Sequence, residues 1–365
     1  MIPFLIPLIL SFFSIIWFDI NNRKGGRIVY FFLYVYLVLL IGLRYKVGGD
    51  TINYMGYYEW QDDLDNLEFE FGGMIQPGYS LLCAICKSFS PQFYVFQIIH
   101  SLIINTLLFL FITVNTKYKF SAVFCLFFVS YLYLTCEILR EALAVTLFAF
   151  LYKPLLNKKW IKYYIGVAIC IMFHFSALIL IFFPFLTWIR FNRPYVLLMT
   201  ITCIGMFLLS NIFEMLSSVM LIGEKVSVYS SENHGLLADF LFLFRKSLFP
   251  LLFALIVKYG CHRKLRCENQ LAILVWFGFM SFFNPVIFGR LTNYVILFFI
   301  LSFSSEIIEM IKSFRIKLVH NALILSLSFL IIYGSGYTMY NIYKLYIPYS
   351  SIFNPIEYNR NIFNK

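Results

Sequence analysis

The sequence predicts an all-α, polytopic helical membrane protein, and two observations carry that prediction. The first is composition: 61% of the 365 residues are hydrophobic and only 13% are charged, whereas a soluble domain has about one quarter charged residues. The second is that apolar runs of roughly 17 to 25 residues recur from end to end, each long enough to cross the bilayer core. The runs are continuous rather than alternating, which excludes a transmembrane β-barrel.

The hydropathy pattern divides the chain, taken as a single integral membrane domain over 1–365, into about twelve transmembrane helices. The region 161–189 is interpreted as two short helices that meet near His174, and 77–90 is too short to span. The first run lacks a basic start and a small-residue cleavage site, so it predicts a retained helix. The predicted spans are 2–19, 28–43, 92–113, 119–135, 138–152, 161–175, 176–188, 195–212, 240–257, 269–288, 291–309 and 318–336.

Basic residues set the predicted topology. Six short connections hold 18 of the 29 lysines and arginines, and the positive-inside rule puts all six in the cytoplasm. The net charge of +11 is therefore interpreted as a topology signal and not as nucleic-acid binding. With twelve spans, both termini lie outside. The remaining outer parts are a loop over 44–91 with a re-entrant or interfacial helix, a second loop over 213–239, and a C-terminal tail over 337–365.

Four arginines lie at the ends of apolar runs or inside them, away from the basic connections. An arginine at the centre of a membrane helix costs about 2.5–3.5 kcal/mol on insertion scales, so it is normally paired, hydrated or functional. Snorkelling to the headgroups explains any single one of them. Because the topology puts all four on the outer side, together they predict a site for an anion with phosphate geometry. They are Arg44, Arg140, Arg245 and Arg290.

Four side chains near these arginines are candidates for a general base. Glu137 precedes Arg140 by one turn, and a partly desolvated carboxyl there has a raised pKa and accepts a proton. Glu141 either neutralises Arg140 or serves in the same way. Asp50 follows a Gly-Gly turn that brings backbone amides close to a ligand. His174 is a rival base, although a lone histidine between apolar residues is as often a helix–helix hydrogen-bonder.

Aromatic residues crowd the first outer loop. Tyr45, Tyr54 and Tyr58, with Tyr57 and Trp60 beside them, are candidates to stack on sugar faces. The alternative is an aromatic belt at the membrane interface, where tyrosine and tryptophan are enriched.

Several of these stretches together resemble a known family. They are "GLRYKVGGDTINYMGYY" from Gly42, "ILREALAVTLFAFLY" from Ile138, "MFHFSALILIFFPFL" from Met172 and "YIPYSSIFN" from Tyr346. Their order and spacing are similar to motifs of the EpsG-like branch of the Wzy-type bacterial O-antigen (polysaccharide) polymerases. One departure is Glu141, where the family usually has glutamine.

The resemblance implies a glycosyltransferase that joins a growing glycan, held on undecaprenyl pyrophosphate, to the free hydroxyl of a lipid-linked repeat unit. It implies the bacterial cytoplasmic membrane with an active site facing outward, and neither a nucleotide sugar, a metal nor another cofactor. The arginines then bind pyrophosphate and Asp50, Glu137 or His174 removes the acceptor proton. The expected partners are the undecaprenyl-pyrophosphate-linked oligosaccharide and the lipid bilayer, with a chain-length regulator left open and no nucleic acid.

Three alternatives remain at this point. A flippase for lipid-linked oligosaccharides also needs arginines, but at mid-membrane depth and often in matched halves, whereas here they concentrate on one side. An O-antigen ligase-type glycosyltransferase differs only in its acceptor, which the sequence does not reveal. A scaffold protein of the glycan machinery would need arginines only for snorkelling.

Overall fold

The computed structural model describes residues 2–67, 75–205, 243–283, 285–312 and 345–357. Within these ranges the chain is helical, and its extended segments form only isolated bridges. The chain divides into two compact units. Of the residues described, unit 1 contains 2–67, 75–181, 304–312 and 345–357, and unit 2 contains 182–205, 243–283 and 285–303.

Unit 1 contains eight complete α-helices among its described residues. Three π-helical turns extend two of them: Ile15–Ile20 follows the first helix, and Phe127–Tyr131 and Tyr133–Glu137 follow the sixth. The helices are α1 (Ile2–Ser14), α2 (Gly26–Gly42), α3 (Thr51–Trp60), α4 (Pro77–Phe89), α5 (Phe93–Asn115), α6 (Lys119–Leu126), α7 (Leu139–Leu156) and α8 (Trp160–Phe173).

The core of unit 1 forms where α2 packs on α5 and where α7 packs on α8 and α5. Polar side chains tie these helices together inside the apolar core: Ser101 donates to the Val38 carbonyl at 2.8 Å, and Tyr131 donates to Asn105 Oδ1 at 2.8 Å. Such bonds help to fix helix contacts in a membrane, because lipid chains are as apolar as the helix surfaces and give no hydrophobic drive between them.

Among its described residues, unit 2 contains five α-helices: α9 (Phe183–Leu186), α10 (Arg193–Gly205), α11 (Phe249–Leu255), α12 (Glu268–Met280) and most of α13 (Pro285–Lys312). Phe249 and Phe253 on α11 pack edge-on against Phe299 and Phe303 on α13, with ring centroids 5.3–6.1 Å apart. The Asn269 side chain donates to two backbone carbonyls, one at the last residue of α9 and one three residues beyond it. Aromatic packing and side-chain caps therefore hold this unit.

Three helices in the described part of the chain are long and apolar enough to cross a membrane: Ile2–Ile20, Phe93–Asn115 and Ile287–Lys312. Five further apolar helices are shorter: Gly26–Gly42, Lys119–Tyr131, Trp160–Phe173, Phe175–Leu186 and Arg193–Gly205. These findings agree with a helical membrane protein. The count of about twelve spans stays a prediction, because the span over 318–336, the loop over 213–239 and parts of three other spans lie outside the described residues.

Two helix breaks coincide with breaks that the sequence predicts. α8 ends at Phe173, and His174 takes an extended conformation before the 3₁₀ segment Phe175–Phe182. Ile138 is non-helical (φ −114°, ψ 52°) and separates the π-helical turn ending at Glu137 from α7. The short segment after Gln76 is a 13-residue helix, α4, with Pro77 in its first turn, where proline is favourable.

Candidate active site

The turn over Gly48, Gly49 and Asp50 leads from α2 into α3. Gly48 has a φ of +108°, and a Cβ at this position would lie 3.1 Å from the Cβ of Cys136. A Cβ on Gly49 would lie 3.1 Å from a carboxylate oxygen of Glu137. Both positions favour glycine, because a side chain would be strained at the first and crowded at the second. The turn therefore lies directly against the helix break at Glu137.

The Glu137 carboxylate holds this turn with both of its oxygens. The Gly49 N–H donates to Oε1 and the Asp50 N–H donates to Oε2, each at 3.1 Å. The Tyr346 hydroxyl also donates to this carboxylate. Burial raises the pKa of Glu137, while the hydrogen bonds from Gly49, Tyr346 and Asp50 act in the opposite direction. Glu137 is thus an anchor for backbone amides in this structure.

Arg140, three residues further on, turns to a different set of partners. Its guanidinium lies over the rings of Tyr57 and Tyr79, 5.6 and 5.9 Å from their centroids, and within 3.5 Å of the Gln76 side-chain oxygen. The Tyr54 hydroxyl accepts hydrogen bonds from the Arg140 side chain and backbone. Arg140 and Tyr57 are half-buried, so each keeps part of its surface exposed. We call Arg140, Tyr54, Tyr57, Tyr79 and Gln76 the Arg140 cluster.

Asp50 lies beside the Arg140 cluster. Its carboxylate accepts a hydrogen bond from Asn53 at 3.3 Å and is half-buried. Burial raises the pKa of Tyr54 to about 12; the negative charge of Asp50 adds to this shift and the positive charge of Arg140 opposes it. Tyr54 therefore has a carboxylate and a guanidinium as neighbours. Of the ten site residues that the sequence predicts, the structure brings Asp50, Tyr54, Glu137 and Arg140 together.

His174 follows α8 directly and lies close to the start of α4. Gly78 lies against this end: a Cβ on Gly78 would be 2.8 Å from the Met172 carbonyl oxygen. The His174 residue is 9% exposed, and its Nδ1 lies 2.6 Å from Ser176 Oγ and accepts the Ser176 N–H at 3.2 Å. Because Nδ1 is an acceptor, the neutral ring carries its proton on Nε2. These contacts describe a cap at a helix break.

Arg44 is buried, with 1% of its surface exposed. Its Nε donates to the Val47 carbonyl at 3.1 Å, its Nη1 donates to the Ile41 carbonyl at 2.7 Å, and its Nη2 has no hydrogen-bond partner among the described residues. A cation at the C-terminal end of α2 also interacts favourably with the helix dipole. The guanidinium therefore caps a carbonyl in the last turn of α2 and binds a carbonyl of the following loop.

Arg44→Lys tests this structural placement. The ammonium keeps the charge but cannot donate to both carbonyls in the fixed geometry of the guanidinium fork. We expect the free energy of unfolding to fall by about 1–3 kcal/mol, because a buried carbonyl loses its partner. Thermal unfolding of the purified protein in detergent measures this change. An unchanged melting temperature with lost activity would instead support the predicted role of Arg44 in pyrophosphate binding.

The tyrosines predicted to stack on sugars lie in different environments. Tyr54 belongs to the Arg140 cluster. Tyr58 has no exposed surface, packs against Phe93 and Phe96, and donates to the Ser90 carbonyl at 3.1 Å. Tyr45 stacks on Tyr94 at a centroid distance of 5.8 Å, and its hydroxyl donates to Glu357. Their predicted roles in sugar binding stay predictions.

The other two predicted arginines belong to unit 2. Arg290 is half-buried near the start of α13, and Arg245 lies on the π-helical turn Phe244–Leu248, with a side chain outside the described part. The neighbouring Lys246 donates to Thr292 Oγ1 at 2.8 Å and to Asn293 Oδ1 at 3.4 Å. A cluster of all four arginines therefore stays a prediction.

Sequence reasoning missed three residues of this region: Gln76, Tyr79 and Tyr346. Gln76 and Tyr79 flank the start of α4, where Pro77 marks a helix N-terminus. That signal indicates where the helix begins, but not that it begins beside Arg140. Tyr346 lies in a tail that is far in sequence from Glu137, so only the tertiary structure reveals their contact.

Comparison with known proteins decides the family. The sequence model of the EpsG family matches residues 27–351, which include all but the first residue of α2, the Gly48–Asp50 turn, Arg140 and Tyr346. The chain belongs to the EpsG family. No curated protein and no solved structure matches it significantly. Membership confirms the resemblance and is consistent with a polysaccharide polymerase-type function in a membrane protein.

Proposed function

We propose that this EpsG-family protein is a lipid-linked polysaccharide polymerase of the O-antigen, capsule or exopolysaccharide type. In the reaction, a hydroxyl oxygen of one lipid-linked repeat unit attacks the anomeric carbon of the glycan on undecaprenyl pyrophosphate. A new glycosidic bond forms, and the bond between this carbon and the pyrophosphate oxygen breaks. The acceptor proton passes to a base, and undecaprenyl pyrophosphate leaves with the bonding electrons.

The Arg140 cluster is the observation that carries this proposal. A planar guanidinium donates to two phosphate oxygens at once and keeps its charge at every physiological pH. The half-buried Tyr57 offers an aromatic face within reach of the same guanidinium. A substrate that joins a sugar directly to a pyrophosphate has both features that such a pair of side chains recognises. Arg140 would stabilise the negative charge that develops on the departing pyrophosphate.

Asp50 is the general base in this proposal. It lies next to Tyr54, which is bonded to Arg140, so a hydroxyl placed at the sugar end of the substrate is near this carboxylate. The Asp50 carboxylate accepts the Asn53 side chain, whereas the acceptor atoms of the other two candidates are bonded to backbone amides: both Glu137 oxygens accept backbone N–H groups, and Nδ1 of His174 accepts the Ser176 N–H. The proposal therefore gives Glu137 and His174 supporting roles.

The charge distribution supports the proposed orientation in the membrane. The basic connections favour a cytoplasmic location, so the turn over Gly48–Asp50 and the Arg140 cluster face outward from the bacterial cytoplasmic membrane. Lipid-linked repeat units exported to this face are both donor and acceptor. The energy of the pyrophosphate linkage drives transfer, so the reaction uses neither a nucleotide sugar nor an added cofactor.

Reconstitution tests the function directly. The purified protein in proteoliposomes, supplied only with a lipid-linked repeat unit, is expected to produce lipid-linked chains of two, three and more repeats, which gel electrophoresis or mass spectrometry resolves. Movement of a labelled repeat unit across the bilayer without chain growth would identify a flippase instead. Transfer only after a different acceptor is added would identify a ligase.

A further inference from the structure

The C-terminal segment over 345–357 packs along the loop that ends α2. Three backbone hydrogen bonds join the two stretches of chain: Gly48 N–H to the Leu345 carbonyl (2.9 Å), Tyr45 N–H to the Ser350 carbonyl (2.8 Å) and Ile352 N–H to the Leu43 carbonyl (2.9 Å). Tyr349 adds a bond to the Leu40 carbonyl at 2.9 Å. The segment therefore packs against the residues that lead into the Gly48–Asp50 turn.

This docked segment is held at its two ends in different ways. At the inner end, the buried Tyr346 donates to Glu137. At the outer end, Lys46 Nζ lies 2.8 Å from Glu357, an exposed pair of the kind that contributes little to stability. A buried hydrogen bond to a charged group contributes more than an exposed ion pair. The contact between Tyr346 and Glu137 is therefore expected to stabilise the docked segment more than the ion pair between Lys46 and Glu357.

Glu137 joins this segment to the proposed base. Its Oε2 accepts the backbone N–H of Asp50, and the Asp50 carbonyl accepts the backbone N–H of Tyr54, whose hydroxyl bonds Arg140. A carboxylate suits this position because it offers two acceptor oxygens for two amides. Displacement of Glu137 would shift the turn, and with it the Asp50 carboxylate.

We infer that Glu137 is a positioning residue, which together with Tyr346 latches the C-terminal segment over the Gly48–Asp50 turn and so sets Asp50 beside Arg140. The docked segment then contributes to the active site by fixing the position of Asp50. This inference rests on the proposed function for its effect on turnover. The docking itself is independent of any activity.

Cysteine accessibility measures the docking. Ser350 is 1% exposed and differs from cysteine by one atom, so Ser350→Cys in a cysteine-free background is a probe of the docked state. In the purified protein, Tyr346→Phe and Glu137→Gln are each expected to raise the labelling rate of this cysteine by a bulky maleimide by about tenfold or more. Phe353→Cys, at an 80% exposed position, is the control that labels equally fast in every background.

Comparing Lys46→Met with Tyr346→Phe shows which of the two contacts keeps the segment docked. Lys46→Met removes the exposed ion pair and is expected to leave the Ser350→Cys labelling rate nearly unchanged. The inference is wrong if Lys46→Met raises the labelling rate as much as Tyr346→Phe does. It is also wrong if Tyr346→Phe leaves the labelling rate unchanged. These results need no turnover, so they stand whether or not the proteoliposomes make polymer.

Turnover then tests the positioning role. Tyr346→Phe is expected to slow polymerisation by about tenfold, without shifting its pH profile, because Tyr346 acts through Glu137 and Asp50. Tethering the segment with a short bis-maleimide between Lys46→Cys and Glu357→Cys is expected to restore the rate in Tyr346→Phe. Full activity of Tyr346→Phe, with loss only in Glu137→Gln and a closed segment, would make Glu137 the base and overturn the inference.

Discussion

Arg140→Ala is expected to reduce polymerisation by about 10²–10³-fold, the usual effect of removing one donor that stabilises developing negative charge. Lipid-linked single repeat units should accumulate. The initial rate of chain growth in proteoliposomes and the length distribution of lipid-linked glycan in cells measure the change. The variant also loses the contacts with Tyr54 and Gln76, so its monodispersity and melting temperature are measured beside its activity.

Two further variants show whether the geometry of the guanidinium or its charge alone is required. Arg140→Lys keeps a cation but loses the planar fork and the stacking on Tyr57 and Tyr79, so its activity should lie between those of the alanine variant and the parent chain. Arg23→Ala is the matched control: Arg23 stacks on Trp17 at 4.2 Å in the same manner, at the predicted cytoplasmic side. Full-length polymer from Arg140→Ala would remove Arg140 from the proposed site.

The helix boundaries around the site follow closely from sequence. A histidine between two apolar runs marks the break after α8, and the polar residues around Glu137 mark the break before α7. Both signals are local, because a helix end depends mainly on backbone hydrogen bonding and on nearby polar side chains. The EpsG family also follows from short motifs, whose order along the chain is more specific than any one of them.

The direction in which a charged side chain points is not local in the same way. Arg44 and Arg140 both lie beside apolar runs, and sequence alone gives them the same role. In the structure, Arg44 turns inward to the Ile41 and Val47 carbonyls, whereas Arg140 lies among tyrosines from α3 and α4. The difference arises from which helices pack beside each residue. Tertiary contacts of this kind leave no mark in the hydrophobic pattern.

For the same reason, sequence does not separate the three candidates for the base that the resemblance implies. Glu137, Asp50 and His174 are all ionisable residues near the outer ends of predicted spans. Only the hydrogen bonds distinguish them: Glu137 accepts two amides, and His174 Nδ1 accepts the Ser176 N–H. The Ser176 bond occupies the one lone pair of His174 Nδ1, and the two amides stabilise the ionised form of Glu137, which makes that carboxylate a weaker base.

Asp50→Asn is expected to reduce turnover by about 10²–10⁴-fold, the usual contribution of a general base. The amide has nearly the same shape as the carboxylate, and the Asp50 backbone N–H bond to Glu137 is retained. The fold and the docking of the C-terminal segment should therefore persist, with Ser350→Cys still protected. Binding of the lipid-linked donor should also persist, since Arg140 is unchanged.

His174→Gln is the matched comparison for Asp50→Asn. Its amide still offers an oxygen to the Ser176 N–H, so the helix break keeps a cap, while the ionisable ring is lost. We expect a smaller loss of turnover than in Asp50→Asn, together with a lower melting temperature. If His174→Gln abolishes transfer while Asp50→Asn retains it, the proton goes to the histidine, and the carboxylate beside Tyr54 is not the base.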